Sequence, residues 1–285
     1  MTKLSFEFFP PKSLPASFKL WEAAQTLGAF APEFMSVTYG AGGTTRALTH
    51  DTVQALQAAQ DVRVAAHLTC VDATQEETLA IAKTYAAAGV RNLVALRGDP
   101  PNGTAFRPHP DGFANTPDLI QGLKSVADFT IYVGGYPETH PEAASGHADI
   151  AWLKRKLDAG ASGAITQFFF EAETFLRFRD RCTAAGITAP LIPGILPIHN
   201  WQGIQRFAQT CGTSIPPVLH QAFAKADTPQ TQRLLAIAIA SELCDDLRAE
   251  GVDHLHFYTL NSADITRDIC HALGFTQTKK LQKVA

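Results

Sequence analysis

Cysteine is scarce in this chain, and its few residues are scattered. There are five cysteines, an odd number, and none forms a C-x-x-C pair, so neither a disulfide framework nor a zinc knuckle is indicated. Blocks of basic residues are also missing, and 24 lysines and arginines against 27 acidic residues leave a net charge of −3. This balance argues against nucleic acid or an anionic membrane as the main partner. We expect a small-molecule partner and a reducing, cytoplasmic setting.

Long apolar runs are absent as well. The N-terminus has no apolar segment followed by a small-residue cleavage site, and charged residues interrupt the most apolar helical stretch, LLAIAIASELCDDL. We therefore expect neither an export signal nor a membrane span. What the chain does contain is 46% hydrophobic and 18% charged residues over 285 positions, which is enough for a sizeable globular core.

Eight apolar runs bounded by turn residues recur along the chain: LSFEFF, FMSVTY, VRVAAHLTC, RNLVALRG, FTIYVGGY, GAITQFFF, APLIPGIL and HLHFYTL. Segments with helical spacing lie between them, and four of these end at a glycine, as helices closed by a left-handed residue do: Gly89, Gly160, Gly186 and Gly251. The alternation predicts an α/β fold, a single-domain (βα)8 TIM barrel over residues 1–275 with a C-terminal tail at 276–285. An open doubly wound sheet is the alternative.

Side chains alternate faces along a strand, so parity predicts which residues enter the barrel. We assign the small and polar face of each strand to the interior and the bulky face to the helices. In SFEFF this rule turns Ser5, Glu7 and Phe9 inward, and it turns Phe6 and Phe8 outward. Glu7 then lies inside the barrel rather than on an edge.

The same rule applied to NLVALRGD turns Ala95, Arg97 and Asp99 inward and Val94 and Leu96 outward. Over the whole chain, polar residues collect at the C-terminal ends of the strands, where barrel active sites are built. They are Thr38, His67, Arg97, Asp99, Tyr136 and Gln167. Each alone has a plainer interpretation, such as a solvated carboxylate or an ion pair that braces the barrel. Their convergence at one end of the barrel favours a functional site there.

Two metal hypotheses were weighed on the sequence. His254 and His256 form an H-x-H pair, but no third ligand lies at a suitable spacing. The segment YPETHPEA offers Glu138, His140 and Glu142, yet its prolines are more typical of a rigid loop that positions side chains. We expect no metal.

Two further segments suggest phosphate binding only weakly. YGAGG, at positions 39–43, is rich in glycine but matches neither the G-x-G-x-x-G pattern nor the P-loop. The helical segment DIAWLKRKL carries Asp149, Arg155 and Lys156. These residues form either a solvated face or the partners of a pyrophosphate.

Taken in order, FEFFPPK, SVTYGAGG, AHLTC, ALRGDPP, YPETHPEA, LKRKLDAGA, ITQFFF, PGILPI and HFYTLN resemble the catalytic barrel of the 5,10-methylenetetrahydrofolate reductase family over roughly residues 3–275. The resemblance implies FAD at the C-terminal mouth. It also implies ping-pong chemistry, in which NADH or NADPH reduces the flavin and the flavin reduces 5,10-methylenetetrahydrofolate to 5-methyltetrahydrofolate for methionine synthesis. It further suggests a homo-oligomer.

The resemblance assigns roles to matching positions. Glu7 corresponds to the general acid, with a pKa expected to be raised by partial burial, and Asp99 to the aspartate that orients the pterin. Gln167, Phe207 and Thr38 correspond to substrate-binding residues. The positions that match FAD contacts, with Arg155 and Lys156 as partners of the phosphates, are Thr38, Tyr39, Ala41, His67, Arg97, Gly98, Asp99, Ala114, Tyr136, His140, Ala143, Asp149, Arg155 and Lys156.

Three positions depart from a well-known bacterial branch of that family. Trp152 replaces a polar FAD-contacting residue, Gly203 replaces a glutamine, and Ser262 replaces an arginine. These departures leave the choice between NADH and NADPH open. They also keep two alternatives in view: a flavin-independent reductase with direct hydride transfer, and a non-catalytic pterin-binding partner subunit.

Overall fold

A computed structural model describes residues 2–40, 46–59, 62–100 and 106–278. The strands in this part are β1 (Lys3–Phe8), β2 (Phe34–Val37), β3 (Val64–Thr69), β4 (Asn92–Leu96), β5 (Thr130–Gly135), β6 (Gly163–Phe168), β7 (Leu191–Ile195) and β8 (His254–Tyr258). The helices are α1 (Leu14–Gly28), α2 (Arg46–Ala59), α3 (Gln75–Ala87), α4 (Thr116–Val126), α5 (Gly146–Asp158), α6 (Ala172–Ala184), α7 (Trp201–Cys211), α8 (Pro217–Lys225), α9 (Pro229–Ala249) and α10 (Asp264–Ala272).

The eight strands form one closed, parallel barrel in sequence order, with β8 pairing back onto β1. This confirms the predicted (βα)8 barrel and excludes the open sheet. The register sets Glu7 of β1 opposite Ser36 of β2 and Tyr258 of β8. Closure therefore brings residues from the two ends of the sequence next to one another.

The four glycines that were predicted to end helices do so in the structure. Gly89, Gly160, Gly186 and Gly251 adopt φ values of 83°, 113°, 76° and 84°, in the left-handed region that favours glycine. Each comes directly after a helix and shortly before the next strand. These glycines return the chain to the bottom of the barrel.

The core has two layers. Between the strands and the helices, outward side chains such as Phe6 and Phe8 pack in a large apolar cluster. Inside the barrel, a smaller cluster contains Phe34, Ala65 and Ile165. The outward position predicted for Phe6 and Phe8 is confirmed.

The parity assignment is wrong for β4. Val94 and Leu96 belong to the inner cluster, whereas Ala95 packs outward against the helix layer. The reason is physical, because a barrel interior is a packed core that favours bulky branched side chains. Arg97 and Asp99 come after the end of β4. They lie at the rim because Gly98, with a φ of 82°, turns the chain there.

The C-terminal segment is attached as far as it is described. Gln277 Nε2 donates to the Thr26 carbonyl, and the backbone N–H of Thr278 donates to the Ala29 carbonyl. All five cysteines are free thiols. Among the described helices, none is both long and apolar enough to cross a membrane.

Candidate active site

A cavity of about 360 Å³ opens at the C-terminal mouth of the barrel. Four of the predicted rim residues line it: Thr38, His67, Tyr136 and Gln167. Glu7 lies in its wall with a side chain that is 15% exposed. The predicted convergence of polar groups from several strands on one mouth is confirmed.

Glu7 is held by groups from three other strands. Ser36 Oγ donates to Glu7 Oε2 at 3.2 Å. His67 Nε2 lies 3.1 Å from the same oxygen but off the angle of a well-formed hydrogen bond, so this contact is mainly electrostatic. His256 Nε2 lies 3.4 Å from it within hydrogen-bond geometry. One carboxylate oxygen therefore faces two imidazoles and a hydroxyl.

This environment reverses the expected shift of the Glu7 pKa. Burial raises the pKa, but the close approach of His67 and the hydrogen bond and charge of His256 lower it by more, and the net pKa lies well below its usual value. The expectation of a raised pKa is therefore wrong. The Glu7 carboxyl is therefore ionised near neutral pH.

The two histidines of the H-x-H pair both make hydrogen bonds to Ser5. His256 Nδ1 lies 2.7 Å from Ser5 Oγ, and His254 Nε2 lies 2.9 Å from the same hydroxyl. Ser5 and His256 are fully buried, and His254 is 8% exposed. Within the described residues, no group of three or more potential ligands is placed to hold a metal ion.

A second cavity, of about 350 Å³, adjoins the first and shares Leu96, Gly134 and Tyr136 with it. The residues of its wall that had been matched to FAD contacts are Arg97, Gly98, Asp99, Tyr136, His140, Ala143, Asp149 and Lys156. Trp152, one of the three departures, lies in the same wall. The two cavities together make an elongated cleft from the barrel axis to α5.

Lys156 is the buried cation of this cleft. Its Nζ donates to the Gly134 carbonyl at 2.6 Å, and its side chain is almost fully enclosed. Burial lowers the pKa of Lys156 to about 8, and the nearby Asp149 carboxylate opposes this shift. Its neighbour Arg155 is exposed, and its guanidinium lies 4.7 Å from the centre of the Trp152 ring. The structure thus separates the two residues of the predicted basic pair.

The YPETHPEA loop is braced by contacts that differ for each of its polar residues. The Tyr136 and His140 rings pack edge to face with centres 4.5 Å apart, and Asp149 accepts the backbone N–H of His140 at 2.8 Å. Glu142 pairs with Arg97 at 2.7 Å. These contacts fit a positioning loop better than a cation site.

The remaining predicted residues lie in different settings. Asp99 is 84% exposed at the rim, 3.8 Å from Arg97. Phe207 is 44% exposed in the wall of the first cavity and stacks on Phe168 with ring centres 5.2 Å apart. Tyr39 accepts a hydrogen bond from Arg46 at 2.8 Å.

Two further residues, Ala114 and Ala41, were matched to FAD contacts. Ala114 is exposed just before the Asn115 cap of α4, and Asn115 rather than Ala114 lies in the wall of the second cavity. Ala41 lies outside the described residues.

Sequence reasoning missed part of the site. It considered His256 only as a metal ligand and gave no role to Ser36 or Tyr258, although Tyr258 lies in the wall of the first cavity. The alternation of side chains along β8 could have identified His256 and Tyr258 as neighbours of Glu7. Once β8 is paired with β1, the register sets His256 opposite Ser5 and Tyr258 opposite Glu7.

A parallel (βα)8 barrel with a buried acid and a polar cleft at the C-terminal mouth has the architecture of a barrel enzyme. The family model for methylenetetrahydrofolate reductase matches residues 1–274. The 5,10-methylenetetrahydrofolate reductase of Escherichia coli (strain K12) is 46% identical over 272 residues, covering 95% of this chain and 90% of that protein. The chain therefore belongs to the methylenetetrahydrofolate reductase family.

A plant relative and solved structures extend the comparison. Methylenetetrahydrofolate reductase (NADH) 1 of Zea mays is 37% identical, with 99% of this chain but 50% of the maize protein covered. An uncharacterized Clostridium thermocellum protein that binds two copies of 5-methyl-5,6,7,8-tetrahydrofolic acid has a TM-score of 0.67 at 14% identity, covering 96% of this chain and 94% of that one. Phosphoenolpyruvate phosphomutase from Streptomyces platensis subsp. rosaceus has a TM-score of 0.51 at 12% identity, covering 96% and 81%. At these identities the solved structures support the barrel fold alone.

Proposed function

We propose that this chain reduces 5,10-methylenetetrahydrofolate to 5-methyltetrahydrofolate with NADH or NADPH as reductant and FAD as bound cofactor. The observation that carries the proposal is the arrangement around Glu7, a carboxylate within contact distance of two imidazoles in the wall of a mouth cavity. Membership of the reductase family supports the same reaction.

The adjoining cleft fits a flavin dinucleotide in its chemistry. A long two-part cleft suits a long ligand, and the buried Lys156 and the half-buried Arg97 supply cationic donors of the kind that phosphates require. Trp152 adds an aromatic wall. When bound, FAD supplies an acceptor and donor of hydride.

Glu7 and its partners hold the proton that the folate requires. The low pKa keeps Glu7 ionised at rest, so the proton for the substrate comes through an adjacent imidazole, and Glu7 passes it on as the substrate takes it up. Ser36 fixes the Glu7 Oε2 atom from the β2 side. The general acid is in this view the cluster, with Glu7 as its member in the cavity wall.

The substrate is bound by the outer part of the first cavity. Gln167 offers an amide for hydrogen bonds to the pterin, and Phe207, resting on Phe168, offers a flat apolar surface for the aromatic parts of folate. Thr38 lies on the opposite side of the mouth, after β2. Asp99, exposed at the rim, orients the pterin.

The absorption spectrum of the purified protein tests this proposal against its alternatives. We expect flavin bands near about 450 nm that bleach anaerobically with NADH or NADPH and return on addition of the methylene-folate. A colourless protein that oxidises NADH only when methylenetetrahydrofolate is present would instead establish direct hydride transfer. No turnover with any of these reagents would favour a pterin-binding partner subunit.

Several broader features belong to the same proposal. We place the enzyme in the cytoplasm as a homo-oligomer, with residues 1–275 as the catalytic barrel and 276–285 as a tail, and its product would supply methyl groups for methionine synthesis. Size-exclusion chromatography with light scattering tests the oligomer. A mass equal to that of one 30.7 kDa chain would contradict it.

A further inference from the structure

A line of hydrogen-bonded groups runs down the barrel axis from Glu7. Glu7 Oε2 contacts His256 Nε2 at 3.4 Å, and His256 Nδ1 contacts Ser5 Oγ at 2.7 Å. Ser5 Oγ contacts His254 Nε2 at 2.9 Å. All four residues lie on the two paired strands β1 and β8, so the line is built into the closure of the barrel.

The two ends of this line lie at opposite faces of the barrel. Glu7 lies in the wall of the mouth cavity at the C-terminal end. His254 is the first residue of β8 and pairs with Lys3, the exposed first residue of β1, so it lies at the N-terminal face of the barrel. Ser5 and His256 between them have no exposed surface. The line therefore joins the two faces of the barrel through its closed interior.

The proposed reaction needs such a supply of protons. Conversion of a methylene to a methyl group takes up one hydride and one proton per turnover. When folate and flavin fill the mouth, water has little access to Glu7 from that side. This step of the argument rests on the proposed function, whereas the hydrogen-bonded line does not.

We propose that His254, Ser5 and His256 form a proton relay that recharges Glu7 from the N-terminal face of the barrel. His254 takes a proton at Nδ1 from hydronium in the solvent, which leaves a water molecule, and gives its Nε2 proton to Ser5 Oγ. Ser5 gives its hydroxyl proton to His256 Nδ1, and His256 gives its Nε2 proton to Glu7 Oε2. Each group gains one proton and loses one until Glu7 is protonated, so atoms and charge balance.

The relay does not need a charged His254 at rest. Burial and the neighbouring His256 and Lys3 lower the pKa of His254 to about 3, so its resting form is neutral. A neutral imidazole carries one N–H and one lone pair, and it can receive a proton at one nitrogen as it gives one from the other. The short contacts at Ser5 suit this concerted transfer.

The test measures how fast the His256 ring proton exchanges with water, by ¹⁵N–¹H NMR of the histidine-labelled FAD-loaded protein. In the presence of saturating 5-methyltetrahydrofolate we expect exchange to continue in the wild-type protein and to slow at least tenfold in His254→Gln. Gln keeps a donor for Ser5 but cannot relay a proton. Ser5→Ala, which removes the central hydroxyl, provides an independent second interruption.

Lys3→Gln is the matched control, because Lys3 lies beside His254 but outside the line. Its exchange rate should stay within twofold of wild type. Equal exchange rates in the wild-type, His254→Gln and Ser5→Ala proteins would overturn the relay, as would loss of exchange in the wild-type protein when folate binds. Since no turnover is needed, these results are independent of whether the proposed reductase activity is found.

Discussion

At the scale of single residues, the site depends on how one carboxylate is kept charged inside a barrel. A lone buried carboxylate would shift its pKa upward and become neutral. Glu7 does the opposite because His67 and His256 approach the same oxygen from β3 and β8. Glu7 therefore stays ionised at neutral pH.

The lowered Glu7 pKa predicts a specific dependence of stability on pH. A carboxyl whose pKa is lower in the folded state than its value of 4.5 in the unfolded chain stabilises the fold above that pH. This contribution is lost as the pH falls toward the folded pKa. We expect Glu7→Gln to lower the free energy of unfolding by about 1–3 kcal/mol at neutral pH, with the difference from wild type shrinking progressively as the pH falls below about 5.

Urea unfolding of both proteins at a series of pH values measures this difference. Glu171→Gln is a suitable control, because Glu171 is exposed at the start of α6 and makes no side-chain cap. A Glu7→Gln variant whose deficit stayed constant down to acid pH would contradict the pKa assignment.

Phe207 predicts a separate effect on substrate binding. Its ring is 44% exposed and rests on the buried Phe168, so its free face is available for stacking. Phe207→Ala should raise the KM for folate about five- to tenfold, which corresponds to the loss of one aromatic stacking contact of about 1–1.5 kcal/mol. Steady-state kinetics measures this, and an unchanged KM would remove Phe207 from the binding site. The melting temperature should change little, because the ring is half exposed.

At the scale of elements, α5 distinguishes its lysines by face. Lys156 points into the second cavity and bonds the Gly134 carbonyl, whereas Lys154 pairs with Asp158 at 2.9 Å on the surface of the same helix. The run LKRKL by itself does not separate them, and only the resemblance to the family assigned Lys156 to the cofactor phosphates.

This difference predicts which lysine supports the cofactor. Lys156→Gln should weaken FAD binding about tenfold or more, because it removes a charge-assisted hydrogen bond worth about 1.5–3 kcal/mol. Lys154→Gln should leave FAD binding within twofold of wild type. Flavin released on dilution, followed by fluorescence, measures both. Equal losses in the two variants would show that the cofactor does not reach Lys156.

The positions of the strands and helices could be predicted from the sequence, but which side chains point into the barrel could be predicted only in part. Apolar runs and helix-ending glycines located the strands and helix ends because local chemistry decides them. Parity was correct on β1, where the polar Ser5 and Glu7 mark the inner face. It failed at Val94 and Leu96, because the interior is filled by bulky side chains whose inward direction no local feature reveals.

At the scale of the whole molecule, closure of the barrel demands close packing between β6, β7 and β8. A Cβ added at Gly194 would lie 2.2 Å from the Thr166 carbonyl oxygen and 2.5 Å from the Tyr258 ring. Tyr258 donates its hydroxyl to that same carbonyl at 2.6 Å. Only glycine leaves room for this contact.

Gly194→Ala should therefore destabilise the protein by about 1–3 kcal/mol, as overpacking of a tight core does. Gly134→Ala is the matched control on β5, because its added Cβ would meet only Leu96 at an ordinary 3.7 Å. Thermal unfolding of both variants measures the difference. Equal melting temperatures would contradict the packing argument.

Closure also explains why the site was only partly predictable. Glu7 could be assigned inward from its own strand, and the rim residues could be assigned to one mouth. Its contact with His256, however, joins positions 249 residues apart in the chain, and only the paired register of β1 and β8 creates it. The sign of the Glu7 pKa shift follows from His67 and His256, which lie on other strands, and could not be predicted from the strand of Glu7 alone.

The central claim is that Glu7 serves the proton step of folate reduction and nothing else in the cycle. Anaerobic stopped-flow absorbance on FAD-loaded Glu7→Gln measures the two half-reactions separately. We predict flavin reduction by NADH or NADPH within about twofold of wild type and flavin reoxidation by methylenetetrahydrofolate slowed by about 10²–10⁴-fold. Equal slowing of both half-reactions, or normal reoxidation, would contradict the account.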